Sequence, residues 1–409
     1  LVLFATLSVA LTFYLNFRYG YSIPNPAGGV EEHEVRERDY FFIVSFSVWG
    51  LWVGVGIAAI WRWLADEVVG SLAKASPVLL VAAIPLALNW SWADRSYDWA
   101  ARDWGYALLQ SVEPYGVLFT NGDNDTFPLW YIQEVEGVRQ DVTVIVTSYL
   151  NTPWYTKQLR DLTAPCPEGV SAKDDPTRVI CQRRYESDGR SLYTADPGAA
   201  PDGVVALEME EPVTVPSRPI LELSDSTIDQ VARSYVPLEQ SQTLTLGPVE
   251  AQLRAGDLLY PWHQYALSVI NTSLLDGRPI YFASSGNAAS ALGLNRYLIR
   301  HGLAFKLNRG PVPETAPEGV EPMPQDSPLI SVTGNWVDVP RTAQLVDSVF
   351  THHGDIPNWD HWPDASTVGI PNYFAWAYYA LAQAAYQRGD DERLERWSAM
   401  GDAWTELGN

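Results

Sequence analysis

The chain has 409 residues, which is long enough for two or three domains. Its formal net charge of −22 argues against nucleic-acid binding, because a phosphate-binding surface needs clustered Lys and Arg side chains. Charged residues make up only 19% of the chain, whereas aromatic residues make up 12% and include 17 tryptophans. This combination predicts membrane-embedded and soluble parts in one chain.

Three apolar segments within residues 1–93 predict a membrane region. Residues 1–17 are expected to be the end of a truncated span, because they lack a basic n-region and a small-residue cleavage site. Residues 40–63 hold about 20 apolar residues, the length that a bilayer core requires, with aromatic residues at both ends. Residues 77–92 are shorter and predict a third span, with a buried helix as the alternative.

The segment between the first two predicted spans is rich in ionisable residues. They are Glu31, Glu32, His33, Glu34, Arg36, Glu37, Arg38 and Asp39. The carboxylates could bind a divalent cation, and the two arginines could bind a lipid phosphate. The alternative is the solvated start of an interfacial helix with alternating charges. The spacing leaves both interpretations open.

Residues 94–309 predict a soluble α/β domain with a loop-rich insertion at 165–256. The β-branched runs at 116–120 and 141–146 are each followed by a polar loop and a helical pattern, which is typical of a parallel α/β layer. A third strand is expected at 279–283. Further predicted elements are helices at 94–111 and 257–275, a short strand at 219–223 and a hairpin at 243–253.

Polar and aromatic residues after the first two predicted strands are the candidate substrate-binding residues. Open α/β sheets bind ligands at the carboxyl ends of their strands, so we expect these residues to lie at the site. They are Asn121, Asp123, Asn124, Asp125, Trp130, Asn151, Trp154 and Tyr155. The loop at 284–287, after the third strand, could join the same edge, although an ordinary strand-to-helix turn is equally compatible.

The Asp-Asn-Asp sequence at 123–125 admits other interpretations. Such carboxylates hold metals in many sugar-nucleotide transferases and open calcium loops, which makes a divalent cation a candidate cofactor. However, the later Gly and bidentate Glu of a calcium loop are missing. A capping turn is also compatible, in which Asp125 or Thr126 caps the helix that carries Trp130.

The only two cysteines, Cys166 and Cys181, lie in one polar loop. Their spacing permits a disulfide, which would be natural outside the cytoplasm, and two unpaired thiols are the alternative. The positive charges around the predicted spans are nearly balanced and do not decide the orientation. We therefore expect the soluble part to lie in a periplasm-like compartment.

The C-terminal part divides into a Pro-rich linker with an irregular segment at 310–371 and a helical hairpin at 372–409. The irregular segment contains His352, His353, Asp355, Asp360 and His361. Mixed His and Asp could bind a transition metal, but this spacing fits no standard site, so no metal site is assigned. The predicted fold is therefore mixed: two to three transmembrane helices, an extracytoplasmic α/β domain and a C-terminal tetratricopeptide-like helical hairpin.

The central motifs resemble a known family. The run LFTNGDNDTFPLWY at 118–131, with 133–139 and NTPWY at 151–155, is similar to the DUF2723 family of bacterial multispan membrane proteins. The same family contains the animal transmembrane protein O-mannosyltransferase. Residues 30–42 and 278–282 fit the family too, and the resemblance covers most of the chain up to its Pro-rich segment.

This resemblance implies the C-terminal part of a GT-C-like membrane glycosyltransferase in the bacterial inner membrane, one that takes sugar from a polyprenyl-phosphate carrier. The soluble domain would then serve acceptor binding or support. In GT-C enzymes the catalytic carboxylate lies in the first extracytoplasmic loop, and this chain is expected to begin after it, so no catalytic residue is assigned.

The alternative is a non-catalytic structural or accessory subunit of a larger bacterial membrane complex, with tryptophan-rich surfaces as contacts. The expected partners are therefore membrane lipid, a polyprenyl-phosphate sugar and other membrane-protein subunits, and no nucleic acid.

Overall fold

The computed structural model describes residues 2–14, 39–172, 181–324, 327, 330–359, 362, 367 and 369–408. The chain forms two compact units, which are described separately. The first comprises Leu1–Asp98 with Trp362–Gly369, and the second comprises Trp99–His361 with Ile370–Asn409.

Helices make up most of the described part of the first unit. They are α1 (Val2–Ala5), α2 (Leu11–Tyr14), α3 (Ile43–Trp63), α4 (Leu72–Ala75) and α5 (Ile84–Ala93). Segments of π-helix and 3-10 helix extend these, so that Ile43–Val69 and Leu72–Ser91 are each one helix long and apolar enough to cross a membrane. Val2–Tyr14 is a shorter apolar helix.

The two long helices differ from the core helices of soluble proteins. Only 11% and 6% of their most apolar windows are buried, so their apolar side chains face outward. Length, composition and outward-facing apolar surface are compatible with a membrane protein. They correspond to the predicted spans at 40–63 and 77–92, and the second helix begins earlier than expected.

The strands of the second unit are short. They are β1 (Val117–Thr120), β2 (Thr143–Val146), β3 (Ser191–Thr194), β4 (Val205–Glu208), β5 (Val236–Pro237), β6 (Gln242–Leu246), β7 (Val249–Leu253), β8 (Leu258–Leu259), β9 (Ile280–Ala283), β10 (Leu298–His301), β11 (Ala304–Leu307), β12 (Val320–Pro322) and β13 (Trp336–Asp338). Its helices are α6 (Ala100–Gln110), α7 (Asp123–Glu134), α8 (Pro153–Leu162), α9 (Asp225–Val231), α10 (Pro261–Leu275), α11 (Ala288–Ala291), α12 (Ile330–Thr333), α13 (Val339–Gln344), α14 (Ile370–Arg388) and α15 (Asp391–Leu407).

A seven-stranded mixed sheet organises this unit, with the strand order β12-β13-β10-β11-β9-β1-β2. The strand β1 lies between β2 and β9 and is parallel to both, with Phe119 opposite Ile145 and Phe282. The strand β11 is antiparallel to both β9 and β10. The carboxyl ends of β9, β1 and β2 therefore lie side by side along one edge of the sheet.

One face of the sheet packs on α8 and α10. Because side chains alternate along a strand, Val117 and Phe119 point to the same face, where they join a buried cluster with Tyr155 of α8 and Tyr265 of α10. The Phe119 and Phe282 rings stack with centroids 5.2 Å apart. This packing fixes the strands whose ends carry the candidate residues.

The predicted strands at 116–120, 141–146 and 279–283 and the hairpin at 243–253 are confirmed by β1, β2, β9 and the β6–β7 pair. Residues 219–223 are not a strand, so that prediction was wrong. The segment is held by side chains from elsewhere instead: the Ile220 N–H donates to Thr163 Oγ1, 3.1 Å away. Its buried apolar residues gave the misleading signal.

The segment 310–371 is more ordered than the predicted linker. It contributes β12 and β13 to the sheet, where β13 pairs in parallel with β10 and Arg300 lies opposite Val337. A long-range pairing of this kind leaves little trace in a Pro-rich stretch of sequence.

The C-terminal helical hairpin is confirmed. Gly389 turns the chain between α14 and α15 with a φ of +70°, which favours glycine, and the Asp390 side chain caps α15 by accepting from the Arg393 N–H. The Phe374 and Trp404 rings stack across the two helices with centroids 4.3 Å apart. The likeness to a tetratricopeptide unit stays a prediction.

Candidate functional site

The loops that follow β1 and β9 are linked directly at the carboxyl edge of the sheet. Ser285, which follows β9, donates its hydroxyl to Asp125 Oδ2 at 2.6 Å. The loop after β2 joins them, because the Thr147 hydroxyl donates to the Thr120 carbonyl at the end of β1. Residues from three separate parts of the sequence thus form one edge, in the position where open α/β sheets bind ligands.

Asp125 holds the loops after β1 and β9 together and is called the clamp residue of this edge. Besides Ser285, its buried carboxylate accepts the backbone N–H groups of Asn121 and Gly122, both at 2.8 Å. The carboxylate lies in the first turn of α7, where the helix dipole favours a negative charge. Burial, and then the charge of Asp125, raise the pKa of Tyr373 on α14. Asp125 therefore fits the capping interpretation: it shapes the loop.

The other polar residues of this loop face solvent. Asn121, Asp123 and Asn124 are exposed, and within the loop Asp123 Oδ1 accepts only the Asn124 N–H, at 3.2 Å. A carboxylate and two amides offer both acceptors and donors to a ligand. The same short motif thus holds one buried structural carboxylate and one exposed carboxylate.

Aromatic rings lie on the helices that begin at this edge. Trp154, at the start of α8, is 59% exposed, and its ring centroid lies 6.2 Å from that of Tyr149. Trp130 of α7 is half-buried and stacks on the exposed Phe127 with centroids 5.5 Å apart. The helices α7 and α8 thus each carry an exposed ring near their N-termini.

Tyr155 is a structural residue. Its hydroxyl accepts the Val146 N–H at 2.9 Å and donates to the Val144 carbonyl at 3.3 Å, which ties α8 to β2. Burial raises the pKa of Tyr155. Tyr155 is 3% exposed and its hydroxyl bonds the backbone, so its side chain is not accessible to a ligand at the edge.

Asn151 connects the edge to α10. Its side-chain oxygen accepts the backbone N–H of Trp262 at 3.3 Å, and its amide nitrogen donates to the Ser148 carbonyl at 3.1 Å. Trp262 and the neighbouring His263 were missed by sequence reasoning. They lie more than a hundred residues along the chain from Asn151, and no local pattern marks them.

Of the remaining sequence candidates, the two cysteines lie within the described residues. The sulfur atoms of Cys166 and Cys181 form a disulfide, with an S–S distance of 2.09 Å. The buried Arg278 lies two residues before β9 and donates to Gln182 Oε1 at 2.7 Å. The ionisable cluster Glu31, Glu32, His33, Arg36 and Arg38 lies outside the described residues.

His352 and His353 contact other side chains of the protein. His353 Nδ1 lies 2.6 Å from Asp103 Oδ1, and Asp355 accepts the Asn358 amide at 2.9 Å. His352 is packed between the rings of Phe374 and Trp404. Asp360 and His361 lie outside the described residues. Among the residues that the structure describes, no group of three or more His, Cys, Asp or Glu could hold a metal ion.

Comparison with known proteins finds a similarity to a family related to membrane proteins. The family model described as TMEM260-associated domain 2 matches residues 101–168. This range runs from α6 through α8 and includes both the loop after β1 and the loop after β2. Neither the curated proteins nor the solved structures contain a match to the chain.

Proposed function

We propose that this chain is the C-terminal part of a GT-C-like membrane glycosyltransferase of the DUF2723 kind, and that its α/β domain binds a sugar-bearing ligand. The ligand would be the sugar of a polyprenyl-phosphate donor or a protein or glycan acceptor. The observation that carries the proposal is the carboxyl edge of β1 and β2. There, an exposed carboxylate and amides follow β1, and the exposed ring of Trp154 lies at the start of the helix after β2.

This combination suits sugars for a chemical reason. A sugar ring has hydroxyl groups on its rim, which need donors and acceptors such as Asn121 and Asp123. It also has an apolar C–H face, which packs on an aromatic ring such as Trp154. Pockets for small ligands combine the same two elements: apolar and aromatic walls with a few placed polar groups.

The proposal places the protein in the bacterial inner membrane with its soluble domain on the periplasmic side. The two long apolar helices support membrane attachment. The Cys166–Cys181 disulfide supports an oxidising compartment. The match at 101–168 supports a relationship to membrane proteins for the part of the domain that carries the edge.

The test is a binding measurement on the full chain in lipid nanodiscs, with polyprenyl-phosphate mannose as probe and the sugar-free polyprenyl phosphate as reference. We expect Asp123→Asn to weaken binding of the mannosyl lipid by about tenfold or more, the effect of one lost hydrogen bond to a charged group. Asp202→Asn, an equally exposed aspartate in a distant loop, is the matched control and should change nothing. Equal binding of the two lipids by the wild type would contradict the proposal.

A specific surface favours the second candidate, a non-catalytic accessory subunit. A groove of about 660 Å³ runs along one side of α3 and is lined by Ser47, Gly50, Leu51, Gly54, Val55 and Ala58. Small residues at such spacing let membrane helices approach closely. If this is the main role, the native protein will purify at fixed stoichiometry with another membrane protein, and Gly54→Leu will release it.

A further inference from the structure

A row of exposed and half-buried aromatic rings lies next to the carboxyl edge and is referred to here as the aromatic strip. Its members are Trp154, Tyr149, Trp262, His263, Tyr260 and Tyr235. They come from the start of α8, the loop after β2, the start of α10 and the segments before β5 and after β8. The fold therefore assembles the strip from three stretches of the chain, at 149–154, 235 and 260–263.

The rings of the strip form two sets, which the Asn151 side chain connects. Trp154 and Tyr149 lie at one end, with centroids 6.2 Å apart. Asn151 joins them to α10 through its bond from the Trp262 N–H. The rings of Trp262 and His263 stack with centroids 3.7 Å apart.

The other half of the strip continues from His263. Its ring stacks on that of Tyr260 with centroids 5.9 Å apart, and Tyr260 meets Tyr235 edge-on at 5.7 Å. The two terminal members remain open to solvent, since Trp154 is 59% and Tyr235 58% exposed. Together with the exposed Tyr260, these rings offer contact area at both ends of the strip to an extended ligand.

The strip is uncharged. Its members are Trp, Tyr and His, and burial lowers the pKa of His263 below its ordinary value, which keeps the ring neutral at pH 7. The Tyr260 N–H donates to His263 Nδ1, so the ring proton is carried by Nε2. The strip itself contributes no positive charge, and the chain's net charge of −22 disfavours anions such as acidic glycans and nucleic acids.

We propose that the aromatic strip binds a neutral glycan chain several sugar units long, as an extension of the carboxyl edge. This inference rests on the proposed function and names its acceptor class: an oligosaccharide or glycan chain. Repeated ring faces suit repeated sugar units. Between the rings, the Asn151 amide and the tyrosine hydroxyls can bond sugar hydroxyls. A preference for a long ligand distinguishes the strip from a site for a single sugar.

The test uses the full chain in nanodiscs and a series of neutral mannose and glucose oligosaccharides of one to six units. We expect affinity to rise with chain length. Tyr260→Ala and Trp262→Ala should each weaken binding of the longest probe by about tenfold, the effect of one lost aromatic contact. Tyr386→Ala is the control, because Tyr386 is 68% exposed on α14 and lies outside the strip.

Trp262 also packs on the buried cluster, so Tyr235→Ala serves as the second variant, because that side chain is largely exposed. If affinity is independent of chain length, if no neutral oligosaccharide binds, or if Tyr386→Ala has the same effect, the inference is overturned. Binding of an apolar peptide along the strip in place of oligosaccharides would overturn it as well.

The two proposals fail separately. If binding of the mannosyl lipid depends on Asp123 while oligosaccharides do not bind, only the proposal that the aromatic strip binds a glycan chain is refuted. If oligosaccharides bind with the expected length dependence and the mannosyl lipid does not, the strip stands and the lipid-linked donor is refuted.

Discussion

Replacing Asp125 should destabilise the second unit much more than replacing its neighbour Asp123. The Asp125 carboxylate accepts two backbone N–H groups and the Ser285 hydroxyl, all within 2.8 Å, and it is buried. In Asp125→Ala, both N–H groups lose their acceptor. A hydrogen bond to a charged group contributes about 1.5–3 kcal/mol, and water can partly replace the carboxylate at these two partly exposed N–H groups, so we expect a loss of about 2–5 kcal/mol in the free energy of unfolding.

Two further variants separate the contributions. Ser285→Ala removes one hydrogen bond to a charged group and should cost about 1.5–3 kcal/mol. Because the two side chains contact each other, the double variant should be more stable than the sum of the single effects predicts, with a coupling of about 1 kcal/mol or more. Asp123→Asn, at an exposed position, should change stability by less than about 0.5 kcal/mol.

The assay is urea unfolding of the detergent-solubilised chain, followed by near-UV circular dichroism. The same samples should be tested for binding of the mannosyl lipid, because a loosened loop no longer holds Asn121 and Asp123 in place. Additive effects of the Asp125 and Ser285 substitutions, or equal destabilisation by Asp123→Asn, would refute the assignment of Asp125 as the clamp.

Two other predictions concern buried titratable groups. The ring nitrogens of His352 have no hydrogen-bond partner among the described residues, and burial lowers its pKa from 6.5 to about 4. Protonation therefore favours the unfolded state, so stability is complete above about pH 6.5 and falls as the pH drops toward 4; His352→Phe should flatten this part of the profile in thermal unfolding. Arg139 forms two bonds to Asp141, at 3.0 and 3.1 Å, with both side chains buried. Arg139→Met should lower the free energy of unfolding by about 3–5 kcal/mol in urea unfolding. Adding Asp141→Leu should restore part of that loss, because no uncompensated charge then remains. A double variant that is no more stable than Arg139→Met alone would contradict this explanation.

The parallel core of the sheet was predictable because its signals are local. The β-branched run at 141–146 and the apolar run at 116–120 are strands in any context that buries both faces, and the polar loop after each must then leave a carboxyl end. Other elements depend on distant partners. The strand β13 exists through its pairing with β10. Residues 219–223 pair with no strand in the described part of the chain, although Ile220 and Leu221 are buried.

The roles within the candidate loop were less predictable than its position. Sequence spacing gives Asp123 and Asp125 the same weight, and only the fold shows that one carboxylate is buried while the other is exposed. Trp154 and Tyr155 differ in the same way, because neighbouring residues on a helix face different directions. Trp262 reaches the edge from a distant part of the chain, which no local pattern reports.

The alternation between buried and exposed residues has a functional consequence. Within the motifs at 121–125 and 151–155, the buried Asp125 and Tyr155 bond the backbone and shape the edge, and Asn151 does so from an exposed position. The exposed Asp123 and Trp154 remain available to contact a ligand. Substitution of Asp123 or Trp154 should therefore change binding with little effect on stability, and substitution of Asp125 or Tyr155 should change stability first. A purely structural motif would show no such separation, because exposed members would then be neutral in every assay. Measuring both properties on the same four variants thus decides whether the edge is a binding site.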